Sequence, residues 1–167
     1  MKKLLMSTAM AAMFGTVVPA AQAATVSGNF NVTVTLTSVC TMAAITPLAF
    51  GTYVAFQGAA QVATATTATL TWTRGLTGVT ANFDTTAPGS TAAAAAANAV
   101  GAGVIQGLQY SILATPGAVV AGTAATAGSI GTADTRPYSI TGSMLASQAG
   151  DPTQNASPQA RTLTVNY

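Results

Sequence analysis

The stretch from Thr25 to Cys40, TVSGNFNVTVTLTSVC, carries the most regular pattern in the chain and decides the class of fold. Every even position from 26 to 36 is apolar or glycine, and every odd position from 25 to 37 is Thr, Ser or Asn. An alternation with a period of two is typical of a β-strand with one covered face. The stretch has no proline and no charge, so it lacks the features that keep an exposed strand from pairing with another chain.

The pattern leaves two interpretations open. The strand is either the first strand of its own sandwich or a strand that adds to the sheet of another molecule. In strand addition, main-chain hydrogen bonds give affinity and alternate side chains fill pockets. The position favours the second interpretation, because the strand follows a predicted secretory signal peptide, residues 1–23, with a basic start, an apolar run and a small-x-small cleavage site. The exported domain is then predicted to span 24–167.

Charge is scarce in the predicted exported domain. The chain has five basic and three acidic residues and no histidine. Both lysines lie in the signal peptide, so the arginines and aspartates of the domain balance: Arg74, Arg136 and Arg161 against Asp84, Asp134 and Asp151. Three scattered arginines do not form a nucleic-acid-binding face. Because net charge normally keeps proteins apart, this composition favours a chain that functions in an assembly.

The rest of the chain predicts further strands joined by loops rich in Gly, Ala, Ser and Thr. Alternating apolar residues predict strands at 67–73, 79–84, 108–112, 138–140 and 162–167, and a strand end at 48–53. The alanine run 92–97, the glycine-rich stretch 101–107 and most of 114–133 are predicted to be loops, with a weak strand near 118–120. This pattern indicates an all-β sandwich.

Catalytic chemistry has little support in the sequence. Without His or Glu, the usual general acid–base groups are missing. The aspartates lie far apart and in turn-like settings, which favours structural or surface roles. One cysteine, Cys40, makes neither an internal disulfide nor a transition-metal site; a calcium site at Asp134 or Asp151 is a minor alternative. We therefore expect no enzyme activity, no metal and no cofactor.

Several motifs in order resemble one family. The run GNFNVTVTLTSVC, then LAFGTY, the strand TLTWT, the pair Gly150-Asp151 and the terminal TLTVNY are similar to the spore coat protein U family. That family includes subunits of archaic, Csu-type chaperone–usher pili. The resemblance covers nearly all of the exported domain and implies an incomplete immunoglobulin-like sandwich that lacks its last strand.

The resemblance also implies partners and site residues. A periplasmic chaperone would lend a strand, and at the outer-membrane usher the donor strand of the next subunit, within 24–34, would replace it in the sandwich, 35–167. The inward face of the donor strand would be Val26, Gly28, Phe30, Val32 and Val34. The last strand would line the acceptor groove with Leu163, Val165 and Tyr167. The expected function is a structural subunit of a surface pilus that serves adhesion or biofilm formation.

The chain departs from the family in two places. Pro158-Gln159-Ala160 stands just before the last strand, where the family usually has aromatic and acidic residues. Family members commonly have a second cysteine where this chain has Trp72, so the usual intramolecular disulfide is missing. We expect Trp72 to be buried near Cys40 and to offset part of that loss with apolar area. Two alternatives remain open: a self-contained secreted protein whose first strand completes its own domain, and a surface adhesin that does not polymerise.

Overall fold

The computed structural model describes residues 27–95 and 98–167, and all regular elements in these ranges are β-strands. The predicted signal peptide and Val26 lie outside these ranges. The prediction of an all-β fold is confirmed, and the described ranges contain no helix that could cross a membrane. The strands are β1 (Cys40–Met42), β2 (Gln61–Val62), β3 (Thr66–Trp72), β4 (Thr80–Phe83), β5 (Thr91–Ala95), β6 (Asn98–Ile105), β7 (Leu108–Pro116), β8 (Asp134–Met144) and β9 (Leu163–Asn166).

The strands form two antiparallel sheets of unequal size. Seven strands make the main sheet, in the order β1-β3-β8-β7-β6-β5 with β2 also paired to β8, and β4 and β9 make the other. The contacts divide the chain between Thr35 and Leu36, and the unit Leu36–Tyr167 contains all of these strands. Within that unit, β4 contacts β6 and β5, so the small sheet covers only part of the main sheet.

The core lies on the inner face of the main sheet, where alternate positions of the central strands are buried. Residues 66, 68, 70 and 72 of β3 are buried, as are 110, 112 and 114 of β7. Glycines on β6 make room for the large side chains of β7. A Cβ atom at Gly103 would lie 2.5 Å from Tyr110 Oη, so only glycine lets the tyrosine ring cross β6.

Two parts of the chain outside the main sheet complete the cover of the core. The small sheet contributes Ala81, Phe83 and Leu163, which are buried. The segment 43–53 contributes side chains that are partly buried against the core: Ile45, Leu48, Phe50 and Tyr53. The second layer thus contains two paired strands facing a sheet of seven.

The alternating patterns predicted most of the strands correctly, and two predicted loops are wrong. The alanine run forms β5 at Thr91–Ala95, because antiparallel pairing with β6 outweighs the helix propensity of alanine. The glycine-rich stretch is mostly β6, and only Gln106-Gly107 forms the turn to β7. The weak strand near Val120 is a single bridge to Thr135.

The predicted strand end at 48–53 is also wrong as an element, and the described residues 27–39 of the predicted first strand form no strand within their own chain. Residues 43–60 carry no strand, and neither do residues 27–39, so that β1 begins only at Cys40. Alternation indicates which side chains a neighbouring layer would cover. A strand also requires a ladder of hydrogen bonds with a neighbour, which a sequence pattern does not supply.

Trp72 is the largest side chain on the inner face of β3, and it is buried. Replacing Trp72 with alanine is expected to lower the free energy of unfolding by about 3–5 kcal/mol, because the loss of buried apolar area and the cavity that remains are both destabilising. Thermal or urea unfolding of residues 24–167 would measure this. Thr67→Ala is the matched control, since Thr67 lies on the exposed face of the same strand. Equal midpoints for the two variants would contradict the prediction.

Candidate functional site

The last strand, β9, has a partner on one side only. Its ladder with β4 places Leu163 opposite Phe83 and Val165 opposite Ala81. Just before the ladder, Asp84 N donates to Thr162 O at 2.9 Å. In an antiparallel ladder such bonded pairs alternate with unbonded ones. The backbone groups of Leu163 and Val165 therefore point away from β4, and no described residue bonds to them.

The structure brings two of the three predicted acceptor residues onto one face. Leu163 is buried in the core and Val165 is half-buried against it. Tyr167 follows the end of β9 and is exposed. The free edge of β9 thus combines unpaired backbone groups with apolar side chains that face the core.

A second free edge is formed by β1 and the segment after it. Thr73 N donates to Val39 O, and Ala43 N donates to Thr69 O, each at 2.9 Å. This register directs the backbone groups of Cys40 and Met42 away from β3. Farther along, Ala49 O accepts from Thr64 N at 3.2 Å, so the chain from 39 to 50 follows the edge of the main sheet.

Tyr110 on the main sheet connects the two free edges. Its ring centroid lies 6.0 Å from that of Phe50, which belongs to the segment after β1. Its hydroxyl accepts from Arg161 Nη1 at 2.9 Å, two residues before β9. We call this arrangement the edge strip: the free edges of β9 and of residues 40–50, with Tyr110 between them.

The segment 27–36 has the exposed alternation that the sequence predicted for a donor strand. Phe30, Val32 and Val34 are 85%, 85% and 91% exposed. A Cβ atom at Gly28 would have no heavy atom within 4 Å. Large apolar side chains exposed in a row are unusual for a finished surface, so this row is a candidate for burial in an assembly.

Cys40 and Trp72 lie directly opposite each other in the ladder between β1 and β3. The pair is not hydrogen-bonded through its backbone, so its Cα atoms belong to the closely spaced class, at about 4.5 Å. Cys40 is a free thiol that contacts the edge of the core, and burial raises its pKa. Trp72 occupies the space beside it on the inner face.

Arg161 links the small sheet to the main sheet, a role that the sequence alone did not indicate. Its Nε donates to Asp84 Oδ1 at 3.0 Å, and the two side chains are only 10% and 11% exposed. Its Nη2 donates to Asp84 O at 2.8 Å and its Nη1 to Ala102 O at 3.0 Å. Removing either side chain would leave the other charge buried without a partner, which is strongly destabilising. The pair of Arg161 and Asp84 therefore holds the chain in place where β9 begins.

The scarcity of charge is the sequence feature that singles out Arg161, one of three arginines after residue 23, but it does not reveal the contact with Asp84. The other aspartates hold loops. Asp134 accepts from Gly75 N at 2.9 Å and Gly122 N at 2.7 Å, and Asp151 accepts from Thr153 N at 2.9 Å. In residues 27–95 and 98–167, no group of three or more His, Cys, Asp or Glu side chains could hold a metal ion.

No protein-family model, curated protein or solved structure matches this chain. The geometry of the edge strip and of the exposed segment 27–36 is therefore the basis for the function proposed below.

Asp84 makes the stability of the domain dependent on acid pH. Burial disfavours its charge, but hydrogen bonds from Thr86, Thr162 and Arg161 outweigh burial and lower its pKa from 3.8 to about 2. The stability that the ionised carboxylate contributes is complete at pH values above its pKa in the unfolded chain. It is lost as the pH falls through its pKa in the folded protein.

We therefore expect the free energy of unfolding to fall between about pH 4 and pH 2. Asp84→Asn should be less stable at neutral pH and should lose less on acidification. Urea titrations of both proteins at a series of pH values would measure this. Parallel pH profiles for the two proteins would contradict the assignment.

Proposed function

We propose that this protein is a structural subunit of a surface pilus, assembled through donor-strand exchange along a chaperone–usher route. The observation that carries the proposal is the unpaired edge of β9 in a chain that also has an exposed, alternating apolar segment. One copy therefore carries both halves of a strand-addition interface. The sequence resemblance to spore coat protein U subunits supports the same function.

The chemistry of the two halves is complementary. The free edge of β9 offers the N–H and C=O groups of Leu163 and Val165, and a strand from another copy would pair with them. Each large side chain buried from the donor face stabilises the junction by about 1.5–3 kcal/mol. Each ladder hydrogen bond adds about 0.5–1.5 kcal/mol. Gly28 would take the place where the backbone of the donor approaches the acceptor most closely.

The side chains that cover the core determine how a donor strand could enter. Ala68, Leu70 and Tyr138 on the inner face have no exposed surface, so an incoming strand must displace the partly buried side chains of the edge strip.

This requirement gives the proposed partners their roles. A periplasmic chaperone that lends a strand would hold the edge strip open, and the outer-membrane usher would exchange that strand for the donor segment of the next copy. The predicted signal peptide would direct the chain into this route. Because the missing strand is supplied by neighbours, polymerisation would complete the fold of each subunit.

A charge on the inward face of the donor segment should block assembly. We expect surface shear fractions of the unsubstituted protein to give a ladder on unboiled SDS gels and one band after boiling. Val32→Asp should abolish the ladder, because a buried unpaired carboxylate is costly. Asn31→Asp is the matched control, since it places the same charge on the opposite face and should leave the ladder intact.

A single monomer band from the unsubstituted protein in both lanes would overturn the proposal. Identical ladders from Val32→Asp and Asn31→Asp would also overturn it, because the donor face would then carry no specificity. Deleting residues 24–32 distinguishes the self-contained alternative. A pilus subunit without them should still fold with its chaperone and fail to extend the fibre, whereas a self-completed domain should unfold.

A further inference from the structure

An exposed apolar patch lies at the end of the main sheet where β8 finishes, which we call the head end. Val54 and Phe56 come from the loop after the segment 43–53, and Leu145 follows β8 directly. These three side chains, the head patch, are 64%, 71% and 60% exposed. Phe56 has a φ angle of 60°, an uncommon conformation for a bulky residue.

Hydrogen bonds between the two loops hold the head patch in place. Tyr53 Oη donates to Leu145 O at 2.7 Å, and Phe56 N donates to Gln148 O at 2.8 Å. Ser147 N donates to Gln57 O at 2.8 Å. The backbone polar groups are thus paired with each other while the apolar side chains stay outside. A rigid apolar surface of this kind binds a partner with little loss of conformational freedom.

The opposite end of the main sheet, the tail end, is where β8 begins and where the chain enters β1. Val39 there is bonded to Thr73. Val120 forms a bridge with Thr135, one residue after the start of β8. The exposed apolar side chains at this end form what we call the tail face: Val39, Val119 and Val120.

The direction of β9 determines which end of an acceptor meets the next copy. β9 starts at the head end, since Arg161 contacts Tyr110, which pairs with Met144 at the end of β8. β9 ends opposite Thr80. A short loop connects Thr80 to Trp72, which lies at the tail end. A donor strand antiparallel to β9 therefore runs from tail to head, and its residue Val34 lies at the head end of the acceptor.

The linker between the donor segment and the rest of its own subunit is too short to place that subunit far from the acceptor's head end. Five residues after Val34 the chain reaches Val39, and five extended residues span at most about 18 Å. The tail face of the donor copy therefore comes within that distance of the acceptor's head end. The head patch lies at this end, because Leu145 follows Met144 and Val54 follows the edge formed by residues 40–50.

We propose that the head patch of each subunit docks on the tail face of the next subunit, as a second contact beside the donated strand. This inference rests on the proposed function and names where consecutive copies touch. Both surfaces are apolar, so their burial adds affinity without charge pairing. The contact sets the angle between neighbours, which a strand on a flexible linker leaves free.

Cross-linking of assembled fibres tests the contact. In a Cys40→Ser background, the double variant Leu145→Cys with Val119→Cys is treated with a flexible bis-maleimide on the cell surface. We expect a ladder of multiples that survives boiling. Neither single variant should give it, and neither should Thr67→Cys with Val119→Cys, because Thr67 is exposed in the middle of the main sheet, opposite Ser139 of β8 and away from the head end.

The outcomes separate this inference from the proposed function. A heat-labile ladder in the unsubstituted protein without any boiling-resistant ladder in the double variant overturns the docking and leaves donor-strand exchange standing. Cross-linked dimers from Leu145→Cys alone would indicate a head-to-head contact and also overturn it. No heat-labile ladder in the unsubstituted protein overturns the proposed function and this inference together.

A second measurement does not depend on cross-linking geometry. Val54→Ser with Leu145→Ser should lower the temperature at which the SDS-resistant ladder falls apart, because the junction loses apolar area. Thr67→Ala trims an exposed side chain in the middle of the main sheet, away from the contact, and should leave that temperature unchanged. An unchanged temperature for the patch variant contradicts the docking.

Discussion

The unpaired edge of β9 is the constraint on which the rest of this structure depends. A main sheet of seven strands faces a layer that contains only β4 and β9, and the remaining cover comes from side chains of irregular segments. Backbone N–H and C=O groups along such an edge are free to pair, and the side chains behind them are apolar. An edge of this kind is a template for pairing with a strand from another chain unless it is covered or blunted. The exposed segment 27–36 has the composition and alternation that such an edge accepts.

Arg161 and Asp84 show how a chain with few charges uses them. The pair lies where β4, β6 and β7 come together just before β9, and the guanidinium donates to a carboxylate, to backbone carbonyls and to Tyr110. A buried ion pair is a weak source of net stability, but it fixes geometry. Here it fixes the start of the edge that is proposed to receive the donor, so the register of a bound strand depends on it.

Alternation located the central strands, although it covered only 108–112 of β7 and 138–140 of β8, because β3, β7 and β8 each bury one face against a large core. It was misleading for the alanine run and the glycine-rich stretch, which form β5 and β6. Alanine and glycine carry little patterning information, and their strands exist because β7 supplies a neighbour and Tyr110 requires Gly103 beneath it. The sequence indicated the apolar faces of 27–34 and of Leu163 and Val165 from which the candidate site is built, but it did not indicate Arg161, Phe50 or the head patch.

The sequence by itself determined the all-β class, the inward and outward faces of the alternating strands and the absence of His and Glu, since these follow from residue type and a period of two. The tertiary structure decided which edges remain unpaired, that Trp72 lies opposite Cys40, and that Val54, Phe56 and Leu145 meet at one end. The physical reason is that strand order and register depend on hydrogen bonds between segments far apart in the chain. A local pattern is equally compatible with many such pairings.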